Sequence, residues 1–483
     1  MNRANAALLK GLMRVGPQLL PFADAATQEL PMSRLLRLSL FQVTVGMAAV
    51  LMIGTLNRVM IVELGVPSWI VALMLALPLL AAPLRTLIGF RSDQHRSVLG
   101  WRRVPFIWFG TMAQFGGFAI MPFALLILSG DTTGPLWVGD AAAALAFLLV
   151  GGGLHTVQTV GLALATDLAP ERARPRVVAL LCAMLLLGMA LSALVFGVLL
   201  RHFSEVRLIQ VVQGAAVVTM VLNSLALWKQ EPRNFKPAAV VRRIGFFDAW
   251  ATFSGVARTR RRLIATALGT AGFSMQDILL EPYGGKILNL PVGATTALTA
   301  MLALGGGIGL MLAARRLAHG ADAHRVAGYG ALVGVVAFAS VIFAAPAQSG
   351  AVFALGVGLI GLGGGLFAHG TLTASMAAAR PEDRGLALGA WGAAQATAAG
   401  LAIALSGFVN DAGATLAVNG VFGDALADPV TGFTLVYVLE TLLLLATIVV
   451  IGPLSRRQLK LVEAAPPDMS VPARVGLNPG GLR

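Results

Sequence analysis

The chain has 483 residues, of which 57% are hydrophobic and 12% charged, about half of the charged fraction of an average soluble domain. This composition excludes a water-soluble globular protein, and the length accommodates about twelve membrane-spanning helices of ~20 residues each. The formal net charge of +14 is compatible with nucleic acid binding only if the charges cluster on one surface.

Apolar runs separated by charge clusters or Pro/Gly turns predict an all-α integral membrane protein with twelve transmembrane helices. Strands of a membrane barrel would be about ten residues long and alternate in polarity, whereas these runs are about twice as long and apolar throughout. We predict spans at 38–62, 67–89, 104–129, 136–166, 176–200, 206–228, 263–281, 291–314, 326–345, 351–379, 385–409 and 431–453.

The distribution of basic residues predicts the orientation. All but four of the 36 Lys and Arg fall on one side of the predicted spans, the exceptions being Arg58, Arg201, Arg207 and Lys286. By the positive-inside rule we expect both termini in the cytoplasm. The positive charge is thereby explained by topology, and we expect no nucleic acid partner.

The longest polar interval divides the chain into two lobes of six helices. In residues 1–35 we expect no cleavable signal but a cytoplasmic segment with an interfacial helix, followed by an N-terminal lobe at 36–228. The linker 229–262 carries an aromatic stripe and a basic cluster, which is typical of a helix in the membrane interface or of a docking surface for a cytoplasmic partner. The C-terminal lobe spans 263–453, and 454–483 is a cytoplasmic tail.

An internal repeat relates the two lobes. Helix 4 reads GGGLHTVQTVGLALATDLAPERARPR from Gly151, and helix 10 reads GGGLFAHGTLTASMAAARPEDRG from Gly363, with an offset of 211 to 212 residues. Both copies cross the membrane in the same direction, so the lobes are parallel repeats related by an axis along the membrane normal. This arrangement predicts a two-lobed, transporter-like bundle with pseudo-symmetry.

The loop between helices 2 and 3, GFRSDQHRSVLGWRR, resembles the signature of the major facilitator superfamily. The resemblance implies a cytoplasmic charge network that holds one conformation and breaks in the other. Its residues in this chain are Gly89, Asp93, Arg96, Gly100, Arg102 and Arg103. The loop departs from the signature by about four extra residues before Gly100 and by Gln94 in place of a base, and simple positive-inside loop chemistry is the alternative.

Charged residues within helices 1 and 7 are candidates for a gate. Asp277 and Glu281 are four residues apart and share one face of helix 7, and Arg58 lies at a similar depth in helix 1. We hypothesise a periplasmic gate in which Arg58 pairs with Asp277 or Glu281. In the alternative, Glu281 lies in interfacial water and Arg58 pairs locally with Glu63.

Glu440 lies deep in helix 12, which is peripheral in this superfamily. Two interpretations are open for this carboxylate: it faces protein partners in the membrane, or it is hydrogen-bonded to a neighbouring helix or protonated.

Three stretches resemble the bacteriochlorophyll-delivery branch of the superfamily, the PucC/LhaA-type assembly factors of light-harvesting complexes. They are residues 34–67, TDLAPERARPRVVALL at 166–181 and GFSMQDILLEPYGG at 272–285. The resemblance implies a protein of the cytoplasmic or intracytoplasmic photosynthetic membrane with bacteriochlorophyll a as cargo, and carotenoid as a further cargo. Implied partners are light-harvesting antenna polypeptides, the core antenna slightly favoured, with pigment-synthesis enzymes, a membrane insertase and membrane lipids.

A pigment carrier needs a ligand for the magnesium ion of bacteriochlorophyll, and neutral imidazole can supply it. His155, with Gln158 one turn away, and His369 are the candidates within spans. The glycines beside His155 either leave room for a flat macrocycle or allow close helix contact. The two histidines do not superimpose in the repeat, so we expect no symmetric pigment pair.

The sequence offers no catalytic or metal-site pattern, and its single cysteine, Cys182, excludes an intrachain disulfide. We therefore predict that the protein is not an enzyme. Two functions remain: an assembly factor that delivers bacteriochlorophyll to antenna polypeptides, and a proton-coupled secondary transporter of a small solute in which Asp277 is the coupling residue.

Overall fold

A computed structural model describes residues 30–81, 88, 91–92, 97, 100–130, 135–170, 173–232, 257–377 and 384–463. Within these residues the chain is helical and contains no strand, which confirms the prediction of an all-α protein. The interfacial helix predicted near the N-terminus and the aromatic stripe of the linker lie outside the described residues.

Eleven of the described helices are long and apolar enough to cross a membrane, and a shorter apolar helix follows the first of them. The twelve helices are α1 (Met32–Glu63), α2 (Ser68–Leu80), α3 (Val104–Leu128), α4 (Leu136–Leu168), α5 (Arg174–Leu199), α6 (Glu205–Leu227), α7 (257–286, interrupted by a 3-10 turn), α8 (Val292–Ala318), α9 (Ala323–Ala344), α10 (Gly350–Ala377), α11 (Arg384–Val418) and α12 (Val430–Glu463).

Several helix ends differ from the predicted ones. Helix α1 begins directly after Pro31, whose fixed φ of −65° suits the residue before a helix, and therefore starts before the apolar run does. The prediction that α7 ends at Glu281 is wrong, because its last segment runs to Lys286. Pro282 lies in the first turn of that segment, where a backbone N–H is not needed for the helix.

The glycine repeats of α4 and α10 lie in helix contacts inside their own lobes. A Cβ on Gly151 would be 2.5 Å from Pro78 of α2, and a Cβ on Gly153 would be 2.8 Å from the backbone of α3. In the second lobe a Cβ on Gly363 would be 2.7 Å from the carbonyl of Gly330 in α9, and one on Gly365 would collide with the carbonyl of Gly306 in α8. In both copies these glycines let neighbouring helix backbones approach closely.

The lobes meet along α2 with α11 and along α5 with α8. A Cβ on Gly197 would be 2.9 Å from the carbonyl of Gly293, and one on Gly407 would be 2.6 Å from that of Ser68. Asn410 also donates from Nδ2 to Ser68 Oγ at 3.2 Å. All three contacts are at the helix ends opposite to the side rich in Arg and Lys, which we call the basic side.

Candidate functional site

Where α1 and α7 meet across the lobes, both helices are irregular. Helix α1 contains two π-helical stretches, Val50–Leu56 and Val59–Glu63. Helix α7 consists of an α-helix at Ala257–Ser274, a 3-10 turn at Met275–Ile278 and a short α-helix at Leu280–Lys286. Irregular turns inside membrane helices expose backbone groups that need other partners, and such turns occur frequently at functional sites. We call this region the lobe junction.

Pro282 and Asn57 together account for the hydrogen bonding of the backbone carbonyls at the interruption of α7. Pro282 has no N–H and cannot donate to the carbonyl of Ile278, its partner in a regular α-helix. Asn57, in α1 of the other lobe, donates from Nδ2 to the carbonyls of Ile278 at 3.3 Å and Asp277 at 3.1 Å. A side chain of one lobe thereby satisfies the backbone acceptors that the interruption leaves in the other.

Glu440 satisfies a donor at the same interruption. Its side chain is fully buried, and Oε1 accepts a hydrogen bond of 2.6 Å from the backbone N–H of Gln276. Of the two interpretations given above, the structure shows the contact with a neighbouring helix: Glu440 of α12 points at α7 and does not face partners in the membrane.

Glu281 lies inside the junction and is not at a water interface. It is 5% exposed, and Oε1 accepts from Thr299 Oγ1 at 2.6 Å while Oε2 accepts from Thr296 Oγ1 at 3.4 Å. On its other side it meets Gly54 of α1, where an added Cβ would collide with the carboxylate. Thr55 adds a hydroxyl contact of 3.3 Å to Thr296 across the lobes. The alternative in which Glu281 lies in interfacial water is therefore wrong.

Arg58 pairs with Glu63 and not with a carboxylate of α7. The guanidinium is 3% exposed; it donates from Nη1 to Glu63 Oε1 and from Nη2 to the carbonyl of Leu290 at 2.9 Å. This corrects the hypothesis of an Arg58 pair with Asp277 or Glu281 and confirms the alternative, a local pair with Glu63. The side chain does cross between the lobes, but it does so through a backbone carbonyl.

Asp277 is half-buried and accepts from the side-chain amide of its neighbour Gln276. Among the described residues it forms no ion pair. The hydrogen bond of the Asp277 side chain is thus to its neighbour in sequence, whereas the side chains of Glu281 and Glu440 bind other helices.

The pigment-ligand candidates are half-buried and are not brought together. His155 and Gln158 lie one turn apart on α4, and His369 lies on α10 of the other lobe. Gly152 next to His155 is exposed, and a Cβ added there would meet nothing within 4 Å. Of the three glycines that precede His155, Gly152 is the one with no neighbour at its Cβ position, because Gly151 and Gly153 contact α2 and α3.

At the basic side, part of the predicted charge network is present. Arg102 and Arg103 both bind the carboxylate of Asp167 at the end of α4, and Arg103 also donates to Ser92 Oγ at 2.6 Å. Gly100 has a φ of +79° in the turn before α3, a conformation that favours glycine. Gly89, Asp93 and Arg96 lie outside the described residues.

Glu231 completes this network from the segment after α6. Its carboxylate accepts the backbone N–H groups of Arg102, Arg103 and Val104 at 2.9 to 3.0 Å. Those groups are the free donors at the start of α3, where a negative charge also interacts favourably with the helix dipole. The network therefore joins the beginning of α3 to the ends of α4 and α6.

Sequence reasoning missed several of these residues. Asn57 is a polar residue inside a span directly before Arg58, and that signal could have identified it. Asp167 lies in the TDLAPER stretch without a counterpart in helix 10 at the repeat offset, and Glu231 carries no local signal at all.

Solved structures similar to this chain are transporters. A bacterial homologue of the human lysosomal transporter Spinster, in an inward-facing and unoccupied conformation, aligns with a TM-score of 0.68 and 15% identity over 89% of this chain and 97% of that one. The nucleoside transporter NupG D323A mutant aligns with a TM-score of 0.64 and 14% identity over 86% and 99%. At this identity the likeness shows the fold, which is the predicted fold of the major facilitator superfamily.

Relatives in sequence are much closer. The chain is 56% identical over 420 residues to Protein PucC of Rhodovulum sulfidophilum, covering 85% of this chain and 92% of that protein. It is 28% identical over 382 residues to the bacteriochlorophyll synthase 44.5 kDa chain of Rhodobacter capsulatus, covering 76% and 85%. The profile of the family described as PUCC protein matches residues 55–459. This multi-pass membrane protein therefore belongs to the PucC family.

Proposed function

We propose that the protein is an assembly factor of the photosynthetic membrane that binds bacteriochlorophyll and delivers it to light-harvesting antenna polypeptides. Membership of the PucC family supports this assignment, as does a relative whose name refers to bacteriochlorophyll synthase. We further propose the core antenna as the preferred client, bacteriochlorophyll a as the cargo and carotenoid as a further cargo.

The observation that carries the proposal is that charged side chains at the lobe junction bind groups of the protein itself. Arg58, Glu281 and Glu440 are buried and bind partners that hold helices together. A site for a polar solute needs convergent polar groups free to bind it, whereas a flat apolar macrocycle needs apolar walls and one axial ligand. The structure thus supports an apolar cargo better than a polar one.

His155 and His369 are the proposed axial ligands for the magnesium ion that the pigment carries. The open face beside Gly152 favours His155, with Gln158 one turn away as a further polar group. The protein's part in this step is to present a neutral imidazole and to exclude water around the macrocycle. We propose a carrier and not an enzyme.

Location and partners follow from the same proposal. We propose an inner-membrane protein with both termini in the cytoplasm, because the basic side is rich in arginine. Pigment-synthesis enzymes and a membrane insertase are the proposed sources of pigment and of antenna polypeptides, and membrane lipids surround the bundle.

A proton-coupled transporter of a small solute is the second candidate function. It is favoured by Asp277, a carboxylate at the junction without an ion-pair partner among the described residues, and by the likeness to solved transporters. A carboxylate of this kind can bind and release a proton as the lobes move.

The test is an absorption spectrum of the protein purified in mild detergent from a phototrophic host. We expect a stoichiometric near-infrared bacteriochlorophyll band that weakens in His155→Ala or His369→Ala. His319→Ala is the matched control, because this histidine is exposed at the basic end of α8. A colourless protein that still co-purifies antenna polypeptides would indicate a polypeptide chaperone, and one that brings neither would favour the transporter.

A further inference from the structure

A basic cavity of about 830 Å³ opens at the basic side of the C-terminal lobe, away from the lobe junction. Residues from the start of α7, the turn between α8 and α9, and the end of α10 line it, together with Leu454 of α12. This volume falls within the range of small-molecule sites, roughly 300–1,000 Å³. Its basic and aromatic lining side chains are Arg258, Arg262, Arg316, His324, Arg325 and Tyr329.

The cavity carries an excess of positive charge. Four arginines line it, and Asp322 is the acidic residue among its lining. Asp322 is engaged at the start of α9, where it accepts the backbone N–H of His324 at 2.8 Å and lies 3.4 Å from the His324 ring. Within the part of the chain that the structure describes, none of the four guanidinium groups forms an ion pair.

Two of these arginines, Arg258 and Arg262, lie one turn apart on the same face of α7, and both line the cavity. Arg262 donates from Nε to the carbonyl of Arg258 at 3.3 Å and from Nη1 to that of Ala374 at 3.5 Å. Like charges at short distance repel each other, and an anion between them offsets this repulsion by attracting both. Nδ1 of His324 faces Asp322, whereas Nε2 has no hydrogen-bond partner among the described residues and is a further polar group for such an anion.

The position of the cavity indicates what kind of anion fits. It lies at the ends of membrane-spanning helices, and Tyr329, which is 61% exposed, lies one turn further into α9 than Arg325. Exposed tyrosines at that level are typical of the headgroup region of a bilayer. Leu317, Val326 and Leu454 add an apolar wall beside the arginines.

We propose that this cavity binds the phosphodiester headgroup of an anionic membrane lipid. The arginine forks bind the phosphate oxygens, and Tyr329 with the apolar wall contacts the glycerol and the first part of the acyl chains. A free phosphate shares the charge but not the apolar part of this ligand.

The experiment measures phosphatidylglycerol retained by the full-length protein, by native mass spectrometry after reconstitution in phosphatidylcholine nanodiscs that contain phosphatidylglycerol. We expect Arg316→Gln with Arg325→Gln to lower retention about ten-fold, because two charge-assisted contacts to the phosphate are lost. Arg260→Gln with Arg315→Gln is the matched control. Both of these arginines are exposed at the basic ends of α7 and α8 but do not line the cavity, so retention stays within about two-fold of the unmodified protein.

Two results would overturn the proposal. An equal loss in the cavity and control variants would mean diffuse attraction to the surface, and displacement of the lipid by inorganic phosphate alone would identify a soluble anion as the ligand. The single change Arg325→Gln is measured alongside in case the double variant does not fold, and we expect it to lower retention by a smaller factor in the same direction.

Discussion

At the scale of single residues, the lobe junction depends on a glycine and an asparagine whose roles come from what they face. Gly54 makes room for the Glu281 carboxylate, and Asn57 supplies two donors to a backbone that lacks them. Adding a methyl group at Gly54, or removing the amide group of Asn57, would disrupt a contact between the lobes. Both positions therefore allow sharp tests.

Replacing Gly54 with alanine should destabilise the protein by about 1–3 kcal/mol, because the new methyl group collides with a buried carboxylate held by two threonines. Thermal unfolding in detergent measures this. Gly116→Ala in α3 is the control, since an added Cβ there meets nothing within 4 Å. Equal midpoints for the two variants would show that Gly54 does not need to be small.

Asn57→Ala should cost about 1–3 kcal/mol, because it leaves the carbonyl of Ile278 buried without a donor. The same unfolding assay applies, with Asn419→Ala, at an exposed site after α11, as the control. An Asn57→Ala protein as stable as its control would mean that another group replaces the lost donor.

At the scale of helices, the interruption of α7 by a 3-10 turn is the element that shapes the junction. Pro282 removes one backbone donor, and Asn57 and Glu440 satisfy groups on either side. An interrupted membrane helix is tolerated only where it is buried in protein or lines a cavity. The backbone carbonyls at the break therefore depend on a hydrogen-bond donor from the other lobe.

This dependence predicts a coupling between Pro282 and Asn57. In a Pro282→Ala background the restored N–H can donate to Ile278, so Asn57→Ala should lose most of its cost. A double-mutant cycle of unfolding free energies measures the coupling, which we expect at about 1 kcal/mol or more. Additive effects of the two changes would contradict this account of the break.

Sequence alone was sufficient for the number of spans and for the repeat, because apolar length and glycine spacing are local signals. It left the partner of Arg58 open between a carboxylate of α7 and the nearby Glu63. Depth along two helices placed Arg58 level with Asp277 and Glu281, but the π-helical turns of α1 change which way its side chains face. Glu63, only five residues away along the same helix, forms the pair.

At the scale of the whole molecule, two lobes in close contact at one end of the bundle determine which motions are available. Gly197 and Gly293 bring α5 and α8 together there, and Asn410 binds Ser68 between α11 and α2. Rocking of the lobes about this contact would open the space between them on either side in turn.

A wedge at this contact should open the lobes on the side opposite to the basic one. We expect Gly293→Trp to make a cysteine introduced at Asn410, which is buried, react with a membrane-impermeant maleimide in a Cys182→Ser background. The same reporter with Gly328→Trp in α9, where an added Cβ meets nothing within 4 Å, serves as control and should stay unreactive. Labelling in both variants, or in neither, would contradict the inference that the contact of Gly293 with α5 keeps the lobes closed at this end.

The hydrogen bonds from Asn57 to the backbone of α7 have a consequence for hydration. Separating the lobes at this end removes the donor from the carbonyls of Asp277 and Ile278, and buried acceptors without a donor are costly unless water replaces it. Opening on this side therefore wets the junction, and an apolar cargo would meet water on that route. A pigment would travel most favourably where the junction stays dry, within the plane of the bilayer or from the basic side.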